Sequence, residues 1–454
     1  MTKGTDRRRS DNISPFPGSG KAEPVARPQT VDTLYGVSCR ISSALLAQRA
    51  VRDQAVLMVY RIQNYKELLE TFGDDLGRVL AQSVRERLRG CLRKHDLVEQ
   101  IADDEFAIAP SGIGEADTAG RLAQRLVQAG SGAYQYNDMH AVVKAGVGIA
   151  HYPTDAEQPA ELLRYARVAL RGLDGSTNTH RVYSPSLLEK RQNKYRMEAE
   201  LERALSEDRF KLQYQPQYAV GSQQIVGVEA LVRMVSPEGE IIAPDEFIPT
   251  AEANGFVLQL GRWVLQEACR QLANWRAAGC APERMAVNIS PVQLMDPRFS
   301  STIDEAITSA GIEYRHLELE ITERCMLERT VEVERLLRGL TERGIRVAID
   351  DFGTGYSSFA YLAWQPLHMI KMDRSFLARV NRDARVDSVV GAMILMAREL
   401  GLEITAEGVE TNEQAQFLMA KGCDIAQGFL LARPQDADAI QGLLQAKTRF
   451  HRAG

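Results

Sequence analysis

From residue 210 onward, short apolar runs recur with helical segments between them, at residues 212–215, 225–232, 285–289, 317–321, 347–349, 369–371, 404–406 and 425–429. Such β/α alternation predicts an α/β fold whose strands form either a closed barrel or an open parallel sheet. The barrel fits the length better. In a barrel of this kind function sits where the strands end on their C-terminal side, so the residues that close each run become the candidates. They are Glu229, Asn288, Glu320, Asp350, Asp351, Lys371 and Glu407, and every one is polar. A charged group inside an apolar strand is strongly unfavourable unless it is paired or metal-bound, which makes so many equivalent placements a site rather than a coincidence.

The adjacent pair Asp350-Asp351 enters the loop Phe352-Gly353-Thr354-Gly355-Tyr356-Ser357-Ser358. Alone it reads as a strand running into a solvated turn. Consecutive carboxylates repel, however, unless a cation or hydrogen-bond donors offset them, and the glycines let the backbone approach a ligand closely. With carboxylate and amide oxygens and neither His nor Cys at these strand ends, the set favours Mg²⁺ or Mn²⁺ over zinc. Asp350 and Asp351 reaching different ions would give two divalent ions in the geometry used for in-line attack on phosphodiesters. Lys371 reads as the orienter of a nucleophilic water, as a stabiliser of phosphoryl charge, or as a plain salt-bridge partner of the carboxylates. On the residues alone, a metal-dependent barrel hydrolase of any family remains open.

The 454 residues suffice for two or three domains, and 44% hydrophobic with 25% charged content is that of a globular chain. No apolar run reaches the roughly 20 residues of a membrane span, so the sequence predicts no transmembrane segment and a cytoplasmic location. A net charge of -5 argues against nucleic-acid binding while leaving room for a local basic pocket for a small phosphorylated ligand. The six cysteines contain no C-x-x-C pair, so neither a disulfide framework nor a thiolate zinc site is indicated. The seven histidines fall outside the ligand set and read as structural or surface residues. Residues 1–30, with Arg7-Arg8-Arg9, Pro15, Pro17, Pro24 and Pro28, predict a flexible tail.

Residues 31–185 predict a compact α/β domain. Helices are expected at 41–50, 76–92 and 122–127, strands at 55–60 and 142–149, and a hairpin of 97–101 with 106–108 around Asp103-Asp104. A charge-rich helix over 186–208, with Leu187, Leu188, Tyr195, Met197, Leu201 and Leu205 loosely on one side, is expected to connect this domain to a second at 209–447.

Several motifs of the second half resemble the EAL family of cyclic-di-GMP phosphodiesterases. They are Gln215-Pro216, Glu229-Ala230-Leu231-Val232-Arg233, Asn288, Leu319-Glu320-Ile321-Thr322-Glu323, Asp350-Asp351-Phe352-Gly353-Thr354-Gly355-Tyr356-Ser357-Ser358, Ile370-Lys371-Met372-Asp373, Ala406-Glu407-Gly408-Val409-Glu410-Thr411 and Gln427-Gly428-Phe429. The resemblance implies a TIM-like (β/α)8 barrel with an antiparallel first strand, and hydrolysis of cyclic di-GMP to linear pGpG. It further implies that Glu229, Asn288, Glu320 and Asp350 bind one metal, that Asp351 reaches the second, and that Glu407 completes the cluster. Lys371 would hold the attacking water. Glu323 would support the loop that starts at Asp350, Gln215, Leu231 and Arg233 would contact substrate, and Glu410 and Gln427 would line the site. Relatives commonly pair through the surface near that loop, which implies a homodimer. Met234 departs from the family pattern, where an aromatic is common. A catalytically silent cyclic-di-GMP receptor is the rival reading, and such receptors usually lose part of the ligand set.

Residues 56–106 resemble a GGDEF domain, the family that makes cyclic di-GMP from GTP, through Asn64-Tyr65-Lys66, Phe72-Gly73, Gly77 and Ala102-Asp103-Asp104-Glu105-Phe106. The family's metal-binding Asp pair aligns with Arg61 and Gln63, its base contacts with Leu69 and Arg78, and its signature glycines with Ala102 and Asp103. That departure implies a degenerate domain without cyclase activity, serving as regulator or dimerisation module. Arg93-Lys94-His95-Asp96 has the spacing of the family's Arg-x-x-Asp inhibitory site and is the remnant at which cyclic di-GMP would bind, against an ordinary surface ion pair.

Overall fold

A computed structural model describes residues 40–45, 54–113, 116–136, 139–173, 176–323, 325, 331–354, 362 and 366–446. The expected tail, the end of the first expected helix and Gly355-Tyr356-Ser357-Ser358 lie outside these residues. The chain divides into two units, residues 1–193 and 194–454.

The strands of the first unit are β1 (Ala55–Ile62), β2 (Leu97–Gln100), β3 (Glu105–Ala109), β4 (Gly132–Tyr136), β5 (Met139–Val143), β6 (Ala145–Tyr152) and β7 (Thr179–Val182). Five of them form one mixed sheet in the order β2-β3-β1-β6-β7. Central β1 is an unbroken apolar run because both of its faces are covered. Val56, Met58 and Tyr60 pack with Leu80, Val84 and Leu126, while Leu57 and Val59 pack with Leu162 and Ala166. The hairpin around Asp103-Asp104 is present as expected.

The strand expected over 142–149 is instead two strands in different sheets, β5 pairing with β4 and β6 joining the main sheet. Asn64 causes the break. Its side chain donates to the Val142 carbonyl and accepts from the Lys144 N–H, each at 2.9 Å, so backbone groups on both sides of the junction are taken from the ladder.

The connecting helix runs Pro185–Ser206. Leu187 and Leu188 pack into the first unit's core, and Leu201 and Ala204 into the second's. Tyr195, expected on the apolar side, is 60% exposed.

In the second unit the strands are β8 (Phe210–Ala219), β9 (Ile225–Val235), β10 (Ile241–Ile242), β11 (Arg284–Ile289), β12 (Leu317–Thr322), β13 (Arg346–Phe352), β14 (Met369–Met372), β15 (Glu403–Ala406) and β16 (Ile425–Ala426). Strands β9 and β11 to β16 run parallel in sequence, and β8 closes the ring antiparallel to both β16 and β9. This is the expected TIM-like barrel with an antiparallel first strand. Short β10 merely extends one edge.

Alternation along the strands stacks the interior in layers. A charged layer of Arg284, Glu318, Arg346 and Glu403 lies at the N-terminal ends. Ala348, Met369, Ile425 and Val226 form a thin apolar plug, and the polar strand ends lie above it. The last strand is shorter than the apolar run 425–429. Past Ala426 the chain bonds to an irregular neighbour instead, with Val409 N donating to Gln427 O at 3.0 Å, and a Cβ on Gly428 would collide with the Val409 backbone.

Candidate active site

Register places the candidates side by side. Glu229 on β9 faces Gln215 on β8, Asn288 on β11 faces Glu320 on β12, and Lys371 on β14 faces Thr405 on β15. Regular β alternation would send Asp350 and Asp351 to opposite sides. The register between β13 and β14 slips between Ile349 and Phe352, and Asp351 adopts the left-handed conformation at φ 53°. This bulge brings carboxylate oxygens of Asp350, Asp351 and Glu407 within 4.8 Å of one another.

Lys371, 1% exposed, occupies the centre. Its Nζ lies 2.7 Å from Glu320 Oε2, 2.7 Å from Glu407 Oε1, 3.2 Å from Asp350 Oδ1 and 3.7 Å from Glu229 Oε2. Glu229 also accepts from Asn288 Nδ2 and Gln427 Nε2, both at 2.6 Å. Gln427 Nε2 is 3.0 Å from Gln215 Oε1, and Gln215 donates in turn to the Ala432 carbonyl at 3.0 Å. The floor of the site is therefore buried, while Asn288, Asp351 and Glu410 are exposed at the mouth.

Burial works to lower the Lys371 ammonium, but Asp350, Glu229, Glu320 and Glu407 hold it well above the ordinary lysine range. Burial works to raise Glu229, yet Lys371 and the donors on Gln427 and Asn288 outweigh it and keep that carboxyl low. Glu320 is pushed well above the carboxylate range by burial and then by the Glu229 charge. Burial, opposed by Lys371 and reinforced by Asp350 and Glu229, lifts Glu407 to about 8. Burial and then Asp350 also raise Asp351. One ammonium cannot neutralise five carboxylates, so protons stand in for the missing positive charge. A divalent cation would displace them, and the all-oxygen donor set fits a hard one.

Glu323, 4% exposed, accepts from Gly353 N at 3.4 Å and so reaches the loop after Asp350. Leu231 and Arg233 follow Glu229 on the same face of β9. Arg233 is bonded to Gln213 Oε1 at 3.0 Å and to the Val232 carbonyl, outside the carboxylate cluster. Among the described residues the Glu410 side chain forms no hydrogen bond or ion pair with the cluster; its backbone N–H is held by Gln414 at 2.8 Å. Sequence reasoning passed over Gln217, fully buried with Nε2 3.5 Å from Glu320 Oε1 and packed against Gly227 across the β8–β9 ladder. Its position two residues after Gln215, on the same face, was the available signal.

In the first unit Arg61 lies between two acids, 3.2 Å from Asp104 and 3.0 Å from Glu105, and Arg167 holds the other Glu105 oxygen at 2.7 Å. Asp96 is consumed structurally. Its carboxylate accepts from Arg93 N at 2.7 Å and from Ser111 N and Oγ at 2.7 and 2.5 Å. The Arg93–Asp96 contact is thus a turn-closing bond from a backbone N–H rather than a side-chain ion pair.

The EAL domain family model matches residues 198–434, and that of the diguanylate cyclase GGDEF domain matches residues 38–176. The chain belongs to the EAL domain family, with a GGDEF-family region on its N-terminal side. It is 37% identical over 391 residues to the cyclic di-GMP phosphodiesterase NbdA of Pseudomonas aeruginosa, covering 86% of this chain and 50% of that one. To MucR of the same organism, a bifunctional diguanylate cyclase/cyclic di-GMP phosphodiesterase, it is 35% identical over 397 residues, covering 87% and 58%. The chain thus spans about half the length of these relatives. The solved MucR phosphodiesterase in complex with c-di-GMP is 38% identical, with a TM-score of 0.52 over 54% of this chain and 99% of that one. Among the described residues no helix is long and apolar enough to cross a membrane.

Proposed function

We propose that the chain hydrolyses cyclic di-GMP to linear 5′-pGpG, using two Mg²⁺ or Mn²⁺ ions held at the C-terminal end of its barrel. The observation that carries this reading is the uninterrupted ring of Glu229, Glu320, Asp350 and Glu407 around buried Lys371. Asn288 and Asp351 extend that ring at the mouth. The ions would supply Lewis acidity toward the phosphodiester and the water.

This chain's own residues do the rest. Glu229, Asn288, Glu320, Asp350, Asp351 and Glu407 fix the donor oxygens, and the Gln427–Gln215 relay orients Glu229. Lys371, held cationic by its neighbours, orients the water and balances charge on the phosphoryl oxygens. Water oxygen bonds to phosphorus as the P–O3′ bond breaks, and the departing 3′ oxygen takes up a proton. Leu231 and Arg233 lie further along β9 and Glu410 lies at the mouth, where the body of a dinucleotide would rest. Exposed carboxylates around the mouth disfavour any phosphodiester unless cations are bound, which makes metal dependence part of the reading.

The first unit is read as a non-catalytic regulator or dimerisation module, because Arg61 neutralises Asp104 and Glu105 where a cyclase needs a divalent ion. Incubated with GTP and Mg²⁺, the chain is expected to form no cyclic di-GMP. A homodimer through the EAL region completes the proposal, with light scattering on the purified chain as its test.

Turnover of cyclic di-GMP to pGpG, followed by chromatography with Mg²⁺ or Mn²⁺ present, is the central measurement. Glu229→Ala and Lys371→Ala are each expected to abolish it. A folded, metal-loaded chain that binds cyclic di-GMP without turnover would assign it instead to the silent receptors.

A further inference from the structure

At the end of the barrel opposite the acidic site lies a cavity of about 600 Å³, where β11 to β14 begin. Arg276, Arg284, Arg315, Arg346, His316 and His368 line it. One of these arginines, Arg284, carries N–H groups without a hydrogen-bond acceptor among the described residues.

Arg284, 5% exposed, competes with Arg346 for the same two carboxylate oxygens. Arg346 bonds Glu318 Oε2 at 3.1 Å and Glu403 Oε2 at 2.7 Å, leaving Arg284 at 3.4 and 3.3 Å. Arg284 Nε and Nη2 are consequently buried without a hydrogen-bond partner among the described residues. Such donors are unfavourable as they stand, and a turn of the Arg284 side chain toward the cavity would give them an acceptor on a bound ligand.

Arg276 Nη1 lies 2.9 Å from His316 Nε2, while the peptide N–H of Glu313 donates to His316 Nδ1 at 3.2 Å. A neutral imidazole carries one proton and a charged one carries two, so in every protonation state at least one of these contacts sets a donor against a donor. His368 accepts on Nδ1 from Val347 N at 3.2 Å, which puts its own proton on Nε2. Among the acids, Glu318 Oε2 and Glu403 Oε2 are held by Arg346 while Glu318 Oε1 is buried without a hydrogen-bond partner among the described residues, Arg315 is paired with Glu313 at 3.0 Å, and Glu283 lies at the exposed rim.

We propose that this cavity binds the phosphate group of a phosphorylated small molecule of about nucleotide size. Guanidinium N–H groups are matched to phosphate oxygens in geometry and charge, and the volume lies within the range of about 300–1,000 Å³ usual for small-molecule sites. The site is separate from the carboxylate cluster and does not depend on the phosphodiesterase reading.

Calorimetry of the full chain in EDTA tests it, because the acidic end then carries no cation and repels phosphate. GMP, inorganic phosphate and uncharged guanosine serve as probes. Saturable GMP binding is expected, about tenfold tighter than inorganic phosphate and weakened about tenfold or more in Arg276→Gln; guanosine gives no signal. Arg315→Gln, at an exposed side chain, repeats the comparison should Arg276→Gln fail to fold, with thermal unfolding confirming that each variant is intact. Absence of GMP binding, equal binding of guanosine, or a dissociation constant unchanged in the folded variants overturns the site. Equal affinity for inorganic phosphate overturns the nucleotide-sized body.

Discussion

Lys371 shows how one residue takes its meaning from its surroundings. Four carboxylates share its ammonium, so in the metal-free chain it is the counter-ion of the whole floor. Lys371→Met is expected to destabilise that state by about 3–5 kcal/mol, since it leaves buried charges unpaired. Added Mn²⁺ should then raise the melting temperature of the variant more than that of the parent, as thermal scans with and without metal would show. An equal rise in both would mean that the lysine does not hold the carboxylates in place of a cation. At Gly227 the same argument is steric. A Cβ there would meet Gln217 Oε1, so Gly227→Ala should push Gln217 from Glu320 and lower kcat about tenfold with little change in KM, measured by steady-state kinetics.

At the scale of the element, strand β13 and its exit decide whether two neighbouring aspartates act together. The bulge needs Asp351 in a left-handed conformation that Asp and Asn tolerate and β-branched residues do not. Asp351→Asn should melt with the parent and Asp351→Val well below it. Glu323 touches none of the proposed ligand oxygens, yet it holds Gly353 N. Glu323→Ala is expected to weaken Mn²⁺ binding about tenfold or more in calorimetry, the usual consequence of removing a group that orients ligands. These local devices were hidden in the sequence. The apolar run 347–349 predicted the strand, but a register slip depends on which strand lies alongside. The single strand expected over 142–149 failed for the same reason, because Asn64 is remote in sequence and adjacent in space.

Across the whole second unit the barrel has an acidic end and a basic one, and the two respond to pH in opposite senses. Burial, then Arg276, lowers His316, with Glu313 opposing and Arg315 adding; burial, then Arg346, lowers His368, with Glu403 opposing. A histidine depressed in the fold takes its proton first in the unfolded chain. The contribution of these two histidines is therefore complete above the ordinary histidine pKa of about 6.5 and is lost as pH falls below it. Protons held on Glu320 and Glu407 at the acidic end act in the opposite sense over the same range, so the basic end is read as a difference: in urea unfolding, the change in stability from pH 7.5 to pH 5.5 should be less unfavourable in His316→Gln than in the parent. By itself the sequence determined the strand count of the barrel, its polar strand ends and the oxygen-only donor set, because apolar periodicity and residue chemistry are local properties. It also showed Arg61 in place of an acid. Only the tertiary structure decided that Gln217 joins the floor, that Asp350 and Asp351 turn the same way, that Asp96 is spent on a turn, and that two arginines at the opposite mouth compete for one pair of oxygens. Each of these depends on distances between strands far apart in the chain, which no local pattern encodes.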